Sequence, residues 1–212
     1  MQDQLTYLPV IVIDMPVKQW NELGSYAQVV WKFLFQRATE RRRTDRPVFL
    51  WADEASNFVT SYDAMFQSTA RSSKCATVYL CQNLPMYYAA LGGESQGKQA
   101  ADALLGNLST KIFHANADVT TNQWAADVIG KRKERLKSLS LPHVSHTLRW
   151  SDEQPNATSS ISEQWQYKIQ PDFFTTLRKG GLSNNLMVDG VIFQTGRLFD
   201  GNNYAIQSFR QI

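Results

Sequence analysis

The chain has 212 residues, 43% of them hydrophobic and 19% charged, with 22 basic and 19 acidic side chains and a formal charge of +3. That length buries a substantial core, and that composition excludes a disordered chain. The charge is too mild for the surface as a whole to attract nucleic acid, so such a reading has to rest on local clusters.

Residues 8–13 are an apolar, β-branched run ended by Asp14 and Pro16, the pattern of a strand buried on both faces. The run is shorter than the roughly 18–20 residues of a membrane helix, and no basic region precedes it as in a signal peptide. Leu23, Tyr26, Ala27, Val30, Trp31, Leu34, Phe35 and Ala38 recur at helical spacing and predict an amphipathic helix, whose apolar row ordinarily faces a core. Its last turn runs into Arg37, Arg41, Arg42 and Arg43, where cations complement the helix dipole.

Residues 48–51 predict the next strand, ended by Asp53 and Glu54. A helix over 63–70 leads to a strand over 76–81, ended by Gln82 and Asn83. Helices over 85–91 and 99–108 flank Gly92 and Gly93, and a strand follows over 111–114. Asp118 is the N-cap of a helix bearing Trp124, Ala125, Val128 and Ile129, stopped by Gly130. Strands alternating with helices over residues 8–130 predict an α/β layer with a mainly parallel sheet flanked by helices. After Gly130 the character changes: residues 131–137 are basic, and 138–162 are rich in Ser and Thr, a loop-like or edge segment. Residues 190–195 and 204–209 predict a closing C-terminal β-hairpin. Cys75 and Cys81 belong to no ladder of metal-ligand spacing, which argues against structural zinc and fits a reducing, cytosolic compartment.

The strongest chemical signal is the apolar strand delivering Asp53 and Glu54 at its carboxyl end, where α/β sheets bind ligands. In P-loop NTPases the first acid of such a pair holds Mg²⁺, and a second acid can polarise the attacking water. An ordinary loop carboxylate pair is the plain alternative. The next strand ends at Gln82, an amide able to donate to a γ-phosphate from the same sheet edge. Arg71 precedes that strand, too far from Asp53 to serve it easily; it could reach a neighbouring subunit's nucleotide as a trans arginine finger does, and a solvated surface arginine is the plain and more common alternative. The segment Gly92 to Lys98 fits G-x-x-x-x-G-K but lacks the following Ser or Thr and does not follow a strand, so it reads as a connection between helices rather than a phosphate loop. His143 and His146 are a weak metal pair without a third ligand. Basic clusters at Arg41, Arg42 and Arg43, and at Lys131, Arg132 and Lys133 with Arg135 and Lys137, suit a phosphate backbone. Solvated helix ends explain them equally well.

Residues 12–16, 51–55, 80–84, 107–113, 118–121 and 128–131, in that order and spacing, resemble the carboxyl-terminal part of type IV secretion coupling ATPases, the TraD/TraG group of conjugative DNA pumps related to the FtsK and HerA motors. The resemblance covers nearly all of the chain. It implies an incomplete RecA-like P-loop NTPase fold, with a nucleotide-binding core over 1–137, a Ser/Thr-rich segment over 138–165, and strands completing the core over 166–212. It makes Asp53 and Glu54 the Walker B pair, Gln82 the sensor glutamine and Arg71 the arginine finger. It implies hexameric rings on the cytoplasmic face of the bacterial inner membrane, moving single-stranded DNA or protein into a secretion channel. Relaxosome and secretion-channel proteins are the implied partners. The family's phosphate loop, membrane helices and helical insert should precede residue 1. ATP and Mg²⁺ are therefore expected only with that amino-terminal half and no cofactor for the chain alone. The competing expectations are a non-catalytic docking module and a self-sufficient phosphohydrolase built on the loop at 92–98.

Overall fold

The helix expected from the apolar row at 23–38 forms, but it buries its other face. Helix α1 (Val17–Arg41) breaks at Asn21, whose backbone (φ 47°, ψ −133°) is not helical. Beyond the break, Lys32, Gln36 and Thr39 are buried, at helical spacing, while Leu23, Tyr26, Val30, Trp31 and Leu34 are exposed. The cause is Asp63 on helix α2 (Ser61–Thr69), which is fully buried. Its Oδ2 accepts from Lys32 Nζ at 2.5 Å and from the Thr60 backbone N–H at 2.7 Å. Its Oδ1 accepts from Gln36 Nε2 at 2.7 Å and from the Tyr79 hydroxyl at 2.9 Å. A buried carboxylate needs such donors, and they select the polar row of α1 as the inner one. Burial pushes the Lys32 ammonium below the usual lysine range, against the pull of Asp63. Burial likewise pushes the Tyr79 phenol well above the usual tyrosine range.

The computed structural model describes residues 10–140 and 158–211. They fall into two compact units, Met1–Ser109 and Thr110–Ile212. In the first, strand β1 (Val48–Ala52) pairs in parallel with β2 (Cys75–Tyr79), from Val48 opposite Cys75 to Ala52 opposite Tyr79. Phe66, Ala70 and Cys75 form a core against Phe35, Val48 and Tyr62. Helices α3 (Leu84–Ala90) and α4 (Gly93–Asn107) follow, with Leu84, Tyr87, Ala101, Leu104 and Leu105 buried. The strand expected over 8–13 is corrected where it can be seen. Residues 10–16 have no regular structure, because no strand among the described residues takes up their backbone hydrogen bonds.

In the second unit β3 (Thr110–Phe113) pairs antiparallel with β6 (Met187–Gln194), and β6 with β7 (Tyr204–Arg210). The expected closing hairpin is thus β6–β7, and β3 joins it rather than a parallel sheet. Helix α5 (Val119–Ile129) starts where Asp118 Oδ2 accepts from the Thr121 N–H at 2.7 Å and ends at Gly130, with φ 90°. Phe113, Ala125, Ala126, Ile129, Ile169, Phe174, Leu177 and Val191 form the core. Asp189 accepts from Arg178, which holds its carboxyl far below the usual range. Strands β4 (Lys131–Ser140) and β5 (Thr158–Tyr167) form an antiparallel ribbon, so the Ser/Thr-rich stretch expected as a loop-like or edge segment contains strand at both ends. Alternating polar residues are compatible with a ribbon exposed on both faces, and Ser and Thr at those positions do not forbid it. The fold is mixed α/β. Among the described residues β1–β2 is the parallel pair and the other pairs are antiparallel, so the expectation of a mainly parallel sheet is not met there. No helix among the described residues is long and apolar enough to cross a membrane.

The Lys32–Asp63 pair yields a test. Lys32→Met leaves a buried carboxylate without its cation and should cost about 3–5 kcal/mol in denaturant unfolding. The double variant Lys32→Met/Asp63→Asn, which removes the buried charge and keeps an acceptor for the other donors of the network, should recover part of that loss. A single-variant loss below about 1 kcal/mol, the level of a surface pair, would contradict the buried network.

Candidate functional site

Parallel pairing puts the carboxyl ends of β1 and β2 on one edge. Two backbone bonds join the exits: the Leu80 N–H donates to the Ala52 carbonyl and the Ala55 N–H to the Leu80 carbonyl, both at 2.9 Å. Asp53 and Glu54 leave β1 on this edge, and Gln82 leaves β2 on it; all three are exposed. The edge is ordered locally. Asp53 Oδ1 accepts from the Glu54 N–H at 3.0 Å, and Glu54 Oε2 accepts from Asn57 Nδ2 at 3.2 Å. Glu54 has a left-handed backbone (φ 48°, ψ 43°), uncommon for a residue with a side chain, and Ala55 and Ser56 are buried directly after it. The turn therefore drives the chain inward and leaves both carboxylates in water.

Two exposed carboxylates at a strand end match the chemistry of Mg²⁺, which takes one or two protein carboxylates and completes its shell with water and phosphate. Among the described residues no group of three or more His, Cys, Asp or Glu side chains gathers into a closed metal cage. The donor set fits a shared cation of that kind. Arg71 stands apart from it. It lies in the turn before β2, where its carbonyl accepts from the Lys74 N–H at 3.1 Å. The five residues of β2 separate it from the Gln82 edge, a span of about 16 Å at about 3.3 Å per residue. The structure thus brings Asp53, Glu54 and Gln82 to one edge and places Arg71 at the other.

The stretch Gly92 to Lys98 has a packing origin. Gly92 links α3 to α4, and Gly97 and Lys98 lie inside α4. Gly97 is buried, and a Cβ there would meet the Tyr88 carbonyl oxygen at 2.0 Å. Glycine is required where the two helices touch, and helix α3 rather than a strand precedes the segment, so packing accounts for the second glycine of the pattern.

The basic clusters divide on inspection of their partners. Arg42 Nη2 donates to the Ser73 carbonyl at 2.5 Å and the Lys74 carbonyl at 3.3 Å, tying the end of α1 to the loop before β2. Arg41 and Arg43 beside it are exposed. Lys131, Arg132 and Lys133 lie on strand β4 rather than at a helix end, which corrects that alternative reading of the second cluster. Arg132 bonds Glu134 at 2.7 Å, while Lys133 lies over the Trp165 ring at 5.7 Å. Asn57 and Trp165 escaped the sequence reading. Trp165 meets Lys133 only through the pairing of β4 with β5, which local patterning along residues 131–137 does not reveal. His143 and His146 lie outside the described residues. His114 Nδ1 is 2.9 Å from the Asp189 carbonyl and so joins β3 to β6.

Residues 47–179 match a family model described as the TraM recognition site of TraD and TraG. The chain belongs to this TraD/TraG family of conjugation coupling proteins. It is also similar in fold to a solved structure described as the bacterial conjugative coupling protein TrwBdeltaN70 in an unbound monoclinic form, with a TM-score of 0.56 and 13% identity. That likeness covers 88% of this chain and 38% of the TrwB chain. No curated protein matches.

Two stability measurements test the local readings in this TraD/TraG module. Gly97→Ala forces α3 from α4 and should lower stability by about 1–3 kcal/mol, the usual cost of overpacking; an unchanged melting temperature would remove the packing explanation. Glu54→Gly relieves the left-handed strain and should leave stability unchanged or raised by up to about 1 kcal/mol. A clear loss there would mean that the carboxylate is held for folding rather than for chemistry.

Proposed function

We propose that this chain supplies the Walker B half of the ATPase site in a TraD/TraG coupling protein that moves DNA or protein substrates into a type IV secretion channel. The observation that carries the reading is the convergence of Asp53, Glu54 and Gln82 on one carboxyl edge of a parallel strand pair. In this reading Asp53 holds Mg²⁺, Glu54 orients and polarises the attacking water, and Gln82 senses the γ-phosphate. ATP and Mg²⁺ bind when a phosphate-loop half completes the site. Arg71, on the far edge, reaches the nucleotide of a neighbouring subunit in a hexameric ring. The ring works at the cytoplasmic face of the inner membrane.

The outer face of β1 supports an incomplete RecA-like core. Phe49 and Trp51 are 65% and 68% exposed, whereas strands of parallel α/β sheets are covered on both faces. A second reading, a docking module for relaxosome proteins, is favoured by the family description, which names recognition of TraM. The two roles are compatible in one chain.

ATP turnover by the full-length coupling protein decides on the catalytic reading. Glu54→Gln should lower turnover by about 10²-fold or more, the usual contribution of a positioned general base, while nucleotide binding persists. Undiminished hydrolysis by that variant would overturn the Walker B assignment and leave the docking role.

A further inference from the structure

The ribbon β4–β5 has two chemically different faces. Residues opposite one another in an antiparallel pair share a face, and successive residues alternate. The register sets Lys131 opposite Tyr167, Lys133 opposite Trp165 and Arg135 opposite Glu163. Over these three pairs one face carries three cations, two aromatic rings and one carboxylate. The other carries Arg132 and Glu134, opposite Gln166 and Gln164, and there the arginine is neutralised by Glu134 at 2.7 Å. The aromatics differ in their roles. Tyr167 is an anchor: its hydroxyl donates to Asp127 Oδ1 at 2.7 Å and accepts from Gln123 Nε2 at 2.6 Å, which roots the ribbon on α5. Trp165 lies further out, 64% exposed. Glu163 spans Arg135 at 3.2 Å and Lys133 at 3.7 Å, leaving the face cationic.

We infer that this face, Lys131, Lys133 and Arg135 with Trp165, is a binding surface for single-stranded nucleic acid. The inference rests on the reading of the chain as part of a DNA-moving protein and names the surface that touches the strand. Cations two residues apart on a strand are separated by about 6.8 Å, a spacing that can follow the phosphates of an extended single strand. An exposed indole among them supplies a stacking platform for an unstacked base, the combination that sequence-independent single-strand binders use. A duplex keeps its bases stacked inside and makes no use of Trp165. An acidic polypeptide would satisfy the cations but offers no aromatic face to the ring. The alternation removes Arg132 from the set of DNA contacts, keeps Arg135 and adds Trp165.

The test uses the 212-residue chain and a labelled oligo-dT, with affinity read by anisotropy across a salt series and stacking read by tryptophan quenching. Lys133→Gln/Arg135→Gln should weaken binding at least ten-fold and flatten the salt dependence by about 1.4 in log–log slope, at about 0.7 per phosphate contact. Trp165→Leu should weaken it about ten-fold and abolish most of the quenching, in line with about 1–3 kcal/mol per stacked base. Arg132→Gln should stay within two-fold, and Glu163→Gln, which unmasks the cations, should tighten binding a few-fold. These last two are conservative surface changes, so they decide the matter even if another variant misfolds. Equal losses from Arg132→Gln and the double variant, or weaker binding by Glu163→Gln, would overturn the assignment of the face. Displacement of the oligonucleotide by poly-glutamate at equal affinity would overturn the choice of nucleic acid. Glu54→Gln should leave oligonucleotide binding unchanged. A failure of the ATPase reading is then told apart from a failure of this one.

Discussion

The Asp63 carboxylate is the constraint on which the first unit depends. Removing a charge from water is costly unless donors replace the lost hydration. Here Lys32 and Gln36 from α1, Thr60 at the start of α2, and Tyr79 at the end of β2 provide them. The gain is mainly geometric, since an apolar cluster of similar volume can be as stable as a buried ion pair. Hydrogen bonds are directional where apolar contacts are not. They bind α1 through one row of its side chains, and so leave Val30, Trp31 and Leu34 facing outward.

The same network reaches the candidate site. Tyr79 is the last residue of β2, opposite Ala52. The bond from its hydroxyl to Asp63 therefore holds β2 just before the chain leaves toward Gln82, and the backbone bonds between Leu80, Ala52 and Ala55 hold the other exit beside it. Glu54 then adopts a left-handed backbone to stay in water while Ala55 and Ser56 go inward. Strain of this kind persists where the surroundings over-determine it, and functional edges are a common place for it. The edge is tied from behind by these bonds, and the Asp53 and Glu54 carboxylates in front of it are exposed.

In the second unit the decisive constraint is alternation. A basic run looks the same on a helix end, a loop or a strand when only charge is counted. On β4 it splits into two rows, one in which Arg132 pairs with Glu134 and one in which Lys131, Lys133 and Arg135 lie among aromatics and share a single carboxylate, Glu163. The mild net charge of the chain thus conceals a local separation of roles, because charge that averages out over a surface is still concentrated along one face.

Much of the local structure was legible in the sequence. The caps at Asp118 and Gly130, the apolar strand ending in Asp53 and Glu54, and the closing hairpin each follow from short-range chemistry, in which neighbouring residues determine the outcome. The family was legible for a related reason, since motif order survives without knowledge of packing. Tertiary structure alone decided which face of α1 is buried, because apolar periodicity records that two faces differ and not which one meets a buried carboxylate. It alone explained Gly97, whose missing side chain matters only where α3 touches α4. It also showed that β3 pairs with the distant β6, that the two ends of the Ser/Thr-rich stretch pair within a ribbon, and that Lys133 and Trp165 meet, since each is a contact between residues far apart in the chain.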